Sequence, residues 1–370
     1  MPITIDDLRR FAVARNFPKP VTLKQLFTRI GFVQADPIRS PARAQDLILR
    51  QRIKHYHAGD LDRLYPILDI EEDFFVNYGY VSRQLQTLMH PRSHSRTRAD
   101  DIGPSWPSKQ RRQAKLLLEF VRQRQSVHPR TVADYFSHGR VTNYWGGSSN
   151  ATTRLLDAMH YQGLLKIVRR EKGIRVYGTQ QHAGRPDTVA ERRARIDSLV
   201  DVAIRIYGPV PGKSLTDYVR RLRYATPQWK TELSSALQRA KKRLPQTKIA
   251  NVDWYWSTDE SPNIKSDSDT VRLLTPFDPL VHDRYRFELF WNWTYRFEAY
   301  TPVAKRKLGY YAMPILWRNE VIGWANLSVK SNDLTTELGY VKSQPKDRSF
   351  KVELDAEIHR IKEFLGIVSV

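Results

Sequence analysis

Gln34 and Asp36, separated only by Ala35, place an amide and a carboxylate two residues apart in a chain where 61 Lys and Arg face 39 Asp and Glu, a net charge of +22. A carboxylate just after an amide in so basic a chain points to chemistry on a polyanion rather than attachment alone. Pro37 pushes the residue before it away from helical geometry, so 32–36 reads as extended. On extended backbone, residues two apart face the same way. The alternative use of the same pair is to satisfy backbone groups at a turn, since Asp-Pro is a common turn dipeptide.

The charge bounds the partner. An excess of Arg is drawn to phosphate backbones or acidic membrane surfaces, and nucleic acid is the expected partner, with general solubility charge as the bland alternative. Arg is spread in short clusters, Arg111-Arg112, Arg169-Arg170, Arg192-Arg193 and Arg220-Arg221, which suits presentation by folded elements. With 370 residues and 41% hydrophobic content, two or more domains with their own cores are expected. The opening 1–7 lacks a basic-then-apolar signal pattern, and no apolar run approaches the roughly 18 residues of a membrane span. A cytoplasmic, nucleoid-associated monomer with no membrane partner follows as the expectation. No Cys is present, so a metal would need His and carboxylates. The nearest His pairs are His55/His57 and His90/His94, and Pro91 breaks the helix the second pair would need; no metal or other cofactor is expected.

The elements that must position the pair can be read locally. Thr4 with Asp7 forms a capping box ahead of Leu8, Phe11 and Ala12. A helix over 22–30 repeats Leu23, Leu26, Phe27 and Ile30 at helical spacing and stops at Gly31. From 90 to 112, Pro, Ser, Gly and Arg predict a surface linker. Beyond it come helices over 108–125, with Leu116, Leu117, Phe120 and Val121 as buried stripe, 131–136, and 149–161, burying Leu155, Leu156 and Met159. A hairpin over 164–177 turns around Glu171-Lys172-Gly173. Three helices and a basic hairpin is the winged-helix order.

The order recurs approximately in helices over 187–207, 216–222 with Ser214 as cap, and 228–243, before 248–252. The middle module's groove helix carries only Arg154 and His160 among Ala, Thr and Asn, a poor base reader. Phosphate-dominated docking by wings and helix ends fits better, so Arg169, Arg170 and Lys172 are DNA-binding candidates. Strands at 271–274, 309–317, 321–330 and 335–341 predict a small antiparallel sheet or barrel, covered by an amphipathic helix over 351–365 with Leu354, Ile358, Ile361 and Leu365 on one side.

The stretch Leu274-Thr275-Pro276-Phe277-Asp278-Pro279-Leu280-Val281-His282-Asp283-Arg284, with Tyr295-Arg296-Phe297-Glu298-Ala299-Tyr300-Thr301-Pro302 and Lys305-Arg306, resembles the bacterial winged-helix DNA glycosylases of the AlkZ and YcaQ group. Gln34-Ala35-Asp36 and the Tyr144-Trp145 region fall in matching order, so the resemblance covers nearly the whole chain. It implies an α+β fold of tandem winged-helix (helix-turn-helix) modules, here 1–105 with the Gln-x-Asp motif, 106–182 and 183–262, followed by a C-terminal small β-barrel with terminal helix at 263–370. It implies excision of bulky or crosslinking N7-alkylated purines from double-stranded DNA, including interstrand crosslinks, with Gln34 and Asp36 catalytic. The Asp form of the motif is similar to the YcaQ branch. Arg39, Arg43 and Arg50 follow the motif; Arg43 falls at the family's post-motif Arg, where it would bind DNA phosphate, hold Asp36, or pair within its module. Tyr144 and Trp145 join the DNA-binding set. Lys305 and Arg306 resemble a basic segment that grips the backbone, with solvated loop charge as the alternative. Asp278-Pro279 is expected to shape a turn and Asp283-Arg284 an internal ion pair.

The chemistry suits the residue types. A purine alkylated at N7 is already a cationic leaving group, so the remaining task is to stabilise the sugar oxocarbenium and direct water at C1′. Asp36 can serve as negative charge and base, and the Gln34 amide can hold the water or a sugar oxygen. No lysine stands out as a Schiff-base nucleophile, so a monofunctional hydrolytic enzyme is expected. The chain departs from the family pattern in Ala35, smaller than the usual bulky aliphatic residue, and in Asn77-Tyr78 after Phe75, where the pattern has His-Glu. Phe75, Asn77 and Tyr78 are therefore read as lining a larger or differently polar pocket. The rival class is a non-catalytic winged-helix DNA-binding protein, a regulator or one that sequesters damaged DNA; action on RNA is a weaker alternative.

Overall fold

A computed structural model of the chain describes residues 2–92, 108–136, 140–142, 148–180, 187–263 and 269–367. The backbone divides into two compact units. One comprises Met1–Leu61, Val200–Arg220 and Ser234–Val370, the other Asp62–Leu199 and Arg221–Leu233.

In the first unit, helix Ile5–Asn16 starts where the sequence signals it: Thr4 N–H donates to Asp7 Oδ2 at 2.9 Å and Asp7 N–H to Thr4 Oγ1 at 3.2 Å. Its inner face buries Leu8, Phe11 and Ala12 in a core shared with Trp254, Phe287, Phe290 and Leu316. Trp254 and Phe290 stack at 5.1 Å. Helix Leu23–Ile30 has a second capping box, Thr22 with Gln25, and ends on Gly31 at φ 73°, a left-handed conformation that favours glycine. Strand Phe32–Gln34 follows at once, and helix Ala44–Arg50 lies just beyond it in the chain. Strands Gln246–Ile249, Val252–Tyr255 and Val210–Pro211 form a three-stranded antiparallel sheet. The pairing of Pro211 with Trp254 keeps the chain extended up to the helix Gly212–Arg221. Ser214, expected to cap that helix, lies buried inside it.

The C-terminal strands Arg272–Leu273, Met313–Trp317, Glu320–Lys330 and Asp333–Tyr340 pair antiparallel in that order. Among the described residues this is an open sheet; no closed barrel is found. Strand Arg272–Leu273, paired over two residues with Met313–Trp317, and strand Asp333–Tyr340 are the two edges, and they do not pair with each other. Helix Arg348–Leu365, capped by Asp347, buries Phe350, Leu354, Ile361 and Phe364. Ile358 and Leu365, expected on the inner side, are only half-buried. Gly339 sits under the Trp324 ring, where a Cβ would meet Cζ2 at 2.3 Å. Helix Arg284–Trp291 has no counterpart in the sequence reading. Asp283 accepts the Arg286 N–H at 3.1 Å as its cap, and Arg284 donates to the Pro276 carbonyl at 3.0 Å, so the two do not form the direct ion pair expected. Asp278 does shape its turn, accepting the Leu280 N–H at 3.0 Å, and it also pairs with buried Arg52 at 2.8 Å.

In the second unit, strands Ile70–Phe74 and Tyr78–Ser82 form a hairpin. The order helix Ser108–Arg124, strand Ser126–Val127, helices Pro129–Tyr135 and Ala151–Gln162, then strands Leu165–Glu171 and Ile174–Thr179 follows. The sheet orders them as Ser126–Val127, Ile174–Thr179, Leu165–Glu171. Lys172 and Gly173 make the hairpin turn at positive φ. The buried stripe of the first of these helices is Ala114, Leu117, Leu118, Phe120 and Val121, whereas Leu116 is 55% exposed. Helical spacing selects a face but tertiary packing fixes its centre. The start of the expected surface linker is interior: Arg92 is fully buried, donating to Asp73 at 2.7 Å and to the carbonyls of Phe74 and Ala225, and His90 Nε2 lies 2.7 Å from Asp73. A buried carboxylate must be paired, and these two side chains supply the partners.

Candidate active site

The strand ends at Gln34, which is buried at 8% exposure. Two residues on, Asp36 leaves the strand half-buried and is tied at both ends. Its N–H donates to Gln45 Oε1 at 3.3 Å, from helix Ala44–Arg50, and its Oδ1 accepts the Ile38 N–H at 2.9 Å. The turn role anticipated for the Asp-Pro pair is thus met by one carboxylate oxygen. Among the described residues the other oxygen, Oδ2, makes no hydrogen bond.

Burial pushes the Asp36 pKa up from the ordinary 3.8, and only the Ile38 N–H opposes it. Among the described residues no cation offsets the desolvation, which leaves a carboxylate whose charge is available to a ligand. Tyrosines feel it. The phenol of Tyr300 is raised first by burial and then by Asp36, and that of Tyr311 is raised by burial and by Asp36 against a hydrogen bond from Thr275. Tyr311 is buried, its hydroxyl 2.9 Å from Thr275 Oγ1, while Tyr300 is 72% exposed. Phe297 links them, with ring centroids 5.5 Å from Tyr311 and 6.1 Å from Tyr300. The loop carrying Tyr300 is fastened by Glu298, whose carboxylate accepts the Lys307 and Leu308 N–H groups at 2.8 Å each.

The other sequence candidates divide. Arg39 is exposed. Arg43 pairs within its module, Nε to Asp46 Oδ2 at 3.1 Å, and Asp46 also accepts the Tyr56 hydroxyl at 2.7 Å. Arg50 is interior, its guanidinium on Glu357. Lys305 is exposed, and Arg306 donates to the Thr301 carbonyl at 2.8 Å and lies 5.1 Å from the Tyr310 ring centroid. In the second unit, Phe75 is fully buried, Asn77 Oδ1 accepts from Arg221 at 3.4 Å, and Tyr78 donates to Glu72. Arg170 makes a double contact with the same Glu72 at 2.6 Å, Arg169 pairs with Glu171 at 2.6 Å, and Lys172 is exposed. Tyr144 and Trp145 lie outside the described residues. Among the described residues no three His, Asp or Glu side chains are grouped to hold a metal, and no helix is long and apolar enough to cross a membrane.

Sequence reasoning did not assign roles to Gln45, Tyr300 or Tyr311. Gln45 carried no signal, being one polar residue on a buried helix. Tyr300 stood inside the quoted C-terminal signature, but nothing local places it by Asp36.

A solved structure, the Streptomyces sahachiroi DNA glycosylase AlkZ, matches the chain with a TM-score of 0.62 over 99% of this chain and 98% of that one, at 14% identity, a likeness of fold. The family model described as DNA glycosylase AlkZ-like matches residues 27–364, a span that takes in both the Gln34-Ala35-Asp36 segment and the loop of Tyr300. The chain belongs to the AlkZ-like DNA glycosylase family.

Proposed function

We propose that the protein is a monofunctional DNA glycosylase that hydrolyses the N-glycosidic bond of bulky or crosslinked N7-alkylated purines in duplex DNA, unhooking interstrand crosslinks, and that it acts as a monomer. The observation that carries this reading is Asp36: a half-buried carboxylate, fastened through Oδ1 and its own N–H, with Oδ2 open and no counter-cation among the described residues. Such an anion lowers the energy of positive charge developing at C1′ and needs no reorganisation as it does so. The glycosidic electron pair leaves with the purine, whose N7-alkyl cation it neutralises. Water then bonds to C1′ and its proton passes to Asp36, with the Gln34 amide orienting water or sugar oxygen.

In this reading the helix–strand–helix–helix–hairpin order of the second unit works as a winged helix, and the modules 1–105, 106–182 and 183–262 track the duplex through phosphates rather than bases. Arg39 and Lys305, both exposed, Arg306, held by the Thr301 carbonyl and the Tyr310 ring without a carboxylate partner among the described residues, and Lys172 at the hairpin turn supply the contacts. Ala35, between Gln34 and Asp36, sets lesion preference; Phe75 is fully buried and offers a base no surface.

The test is base release. Duplex DNA carrying one N7-alkylguanine, or a nitrogen-mustard crosslink, is incubated with the protein, and abasic sites are scored by alkaline cleavage. Free base with an intact strand before alkali is the expected result. Binding that weakens with salt but releases no base from either substrate would instead identify a DNA-binding protein without activity.

A further inference from the structure

The unit that carries Asp36 also holds a cleft of about 890 Å³, and Asp36 is not among its walls. Five Lys and Arg side chains against two glutamates line it. The imbalance is concentrated around Glu357, which is buried at 1% exposure. Its Oε1 accepts from Arg50, from Gln51 Nε2 at 2.9 Å and from the Leu273 N–H at 3.0 Å, and its Oε2 accepts from Arg360 at 3.0 Å. One carboxylate is thus shared by several donors, and Arg50 Nε is left buried with no acceptor.

Arg272 is the more telling wall. It donates to the neutral Gln51 amide at 3.0 Å and lies 4.4 Å from the Phe17 ring centroid. Among the described residues no carboxylate lies within ion-pair distance of it. Burial, with repulsion from Arg52, Arg360 and Arg50, lowers its pKa to about 10 against the pull of Glu357. A desolvated guanidinium among other guanidiniums is unfavourable without an anion. At the rim Lys54 is exposed, and Lys362 is occupied by Asp333 at 3.3 Å.

We propose that this cleft binds a phosphate group, gripped by Arg272 and Arg360 with Lys54 closing over it. Guanidinium forks match phosphate oxygens in pairs, and the shared Glu357 keeps the arginines aligned without neutralising all of them. Phosphate of this kind reaches the cleft as duplex backbone or as a free polyphosphate, and the inference stands whether or not base excision occurs at Asp36.

The experiment uses the full chain and two probes, inorganic pyrophosphate and an undamaged 16-base-pair duplex, with wild type, Arg272→Gln and Lys54→Gln. Pyrophosphate is expected to raise the melting temperature of wild type, as any ligand of the folded state does. Its affinity is expected to fall about ten- to a hundred-fold in Arg272→Gln, the loss of a hydrogen bond to a charged group. If the phosphate belongs to DNA, pyrophosphate competes with the duplex and Arg272→Gln lowers the salt slope of duplex binding by about one. If it is a free ligand, duplex affinity is indifferent to pyrophosphate. Lys54→Gln, at an exposed position, carries the test should Arg272→Gln lose its fold. Equal affinities of wild type and both variants for both probes would overturn the proposal.

Discussion

Replacing Asp36 by Asn exchanges a charge for an amide and keeps an oxygen where the Ile38 N–H finds it at 2.9 Å. The two consequences separate. In the reaction, the open Oδ2 loses its negative charge and its capacity to take a proton. Removing one preorganised electrostatic group lowers a rate by about 10²–10³, or about 2.7–4 kcal/mol of transition-state stabilisation. In the fold, the change is favourable. The folded pKa of Asp36 is raised by burial, so ionising it opposes folding; that penalty is absent below the unfolded pKa and complete once pH has risen through the folded one. At neutral pH the Asn variant is therefore at least as stable as wild type, and its advantage vanishes in acid. Asp36→Ala is the control, since it also strips the Ile38 N–H of its acceptor, at about 1 kcal/mol. Single-turnover release of N7-alkylguanine measures the first effect and urea denaturation at two pH values the second. In wild type the rate falls as acid protonates Asp36, at a pH above the ordinary carboxylate value, and the residual rate of the Asn variant lacks that limb. Release by Asp36→Asn within three-fold of wild type, or a variant that melts well below it at neutral pH, would refute the assignment.

Three further outcomes are expected. Burial opposes the ionisation of Glu72, but Arg170, then Arg175 and Tyr78, outweigh it and hold its pKa below the ordinary carboxylate value. Its contribution is present above the unfolded pKa and is lost as pH falls through the folded one; Glu72→Gln breaks the buried pair and costs about 3–5 kcal/mol in urea denaturation at pH 7, a difference that shrinks in acid. Gly339→Ala drives a Cβ into the Trp324 ring, 2.3 Å from Cζ2, and lowers stability by about 1–3 kcal/mol, read as a shift in the melting temperature. Glu298→Ala leaves the Lys307 and Leu308 N–H groups without their carboxylate, a loss of about 1–3 kcal/mol. Hydrogen exchange at those two amides should speed up, and base release should slow as the Tyr300 loop loses its anchor.

The cap of the first helix was legible because a capping box is a contact between residues three apart, and Thr4-Asp7 needs nothing from the rest of the chain; the same signal at Thr22-Gln25, read only as part of the helix, went unused. The end of the second helix at Gly31 and most of the strands near the C-terminus were legible for the same local reason. Helix Arg284–Trp291 was missed because its aromatic residues, Phe287, Phe290 and Trp291, read equally well as strand; burial in the Trp254 core decides between them. Leu116 was misplaced for a related reason: the spacing of Leu116, Leu117, Phe120 and Val121 allows more than one helix face, and packing chooses Leu117 and Leu118.

At the candidate site, an amide and a carboxylate two residues apart on a segment that Pro37 holds out of helix, in a chain charged for polyanions, are legible along the chain. The state of that carboxylate is a product of folding. Its desolvation, the Gln45 amide that fixes its backbone, the tyrosines that feel its charge and the failure of Arg43 and Arg50 to neutralise it all come from segments brought together by folding. Local backbone preferences act over a few residues and can be read along the chain, whereas burial and Coulomb interactions depend on distances in space that spacing along the chain does not contain.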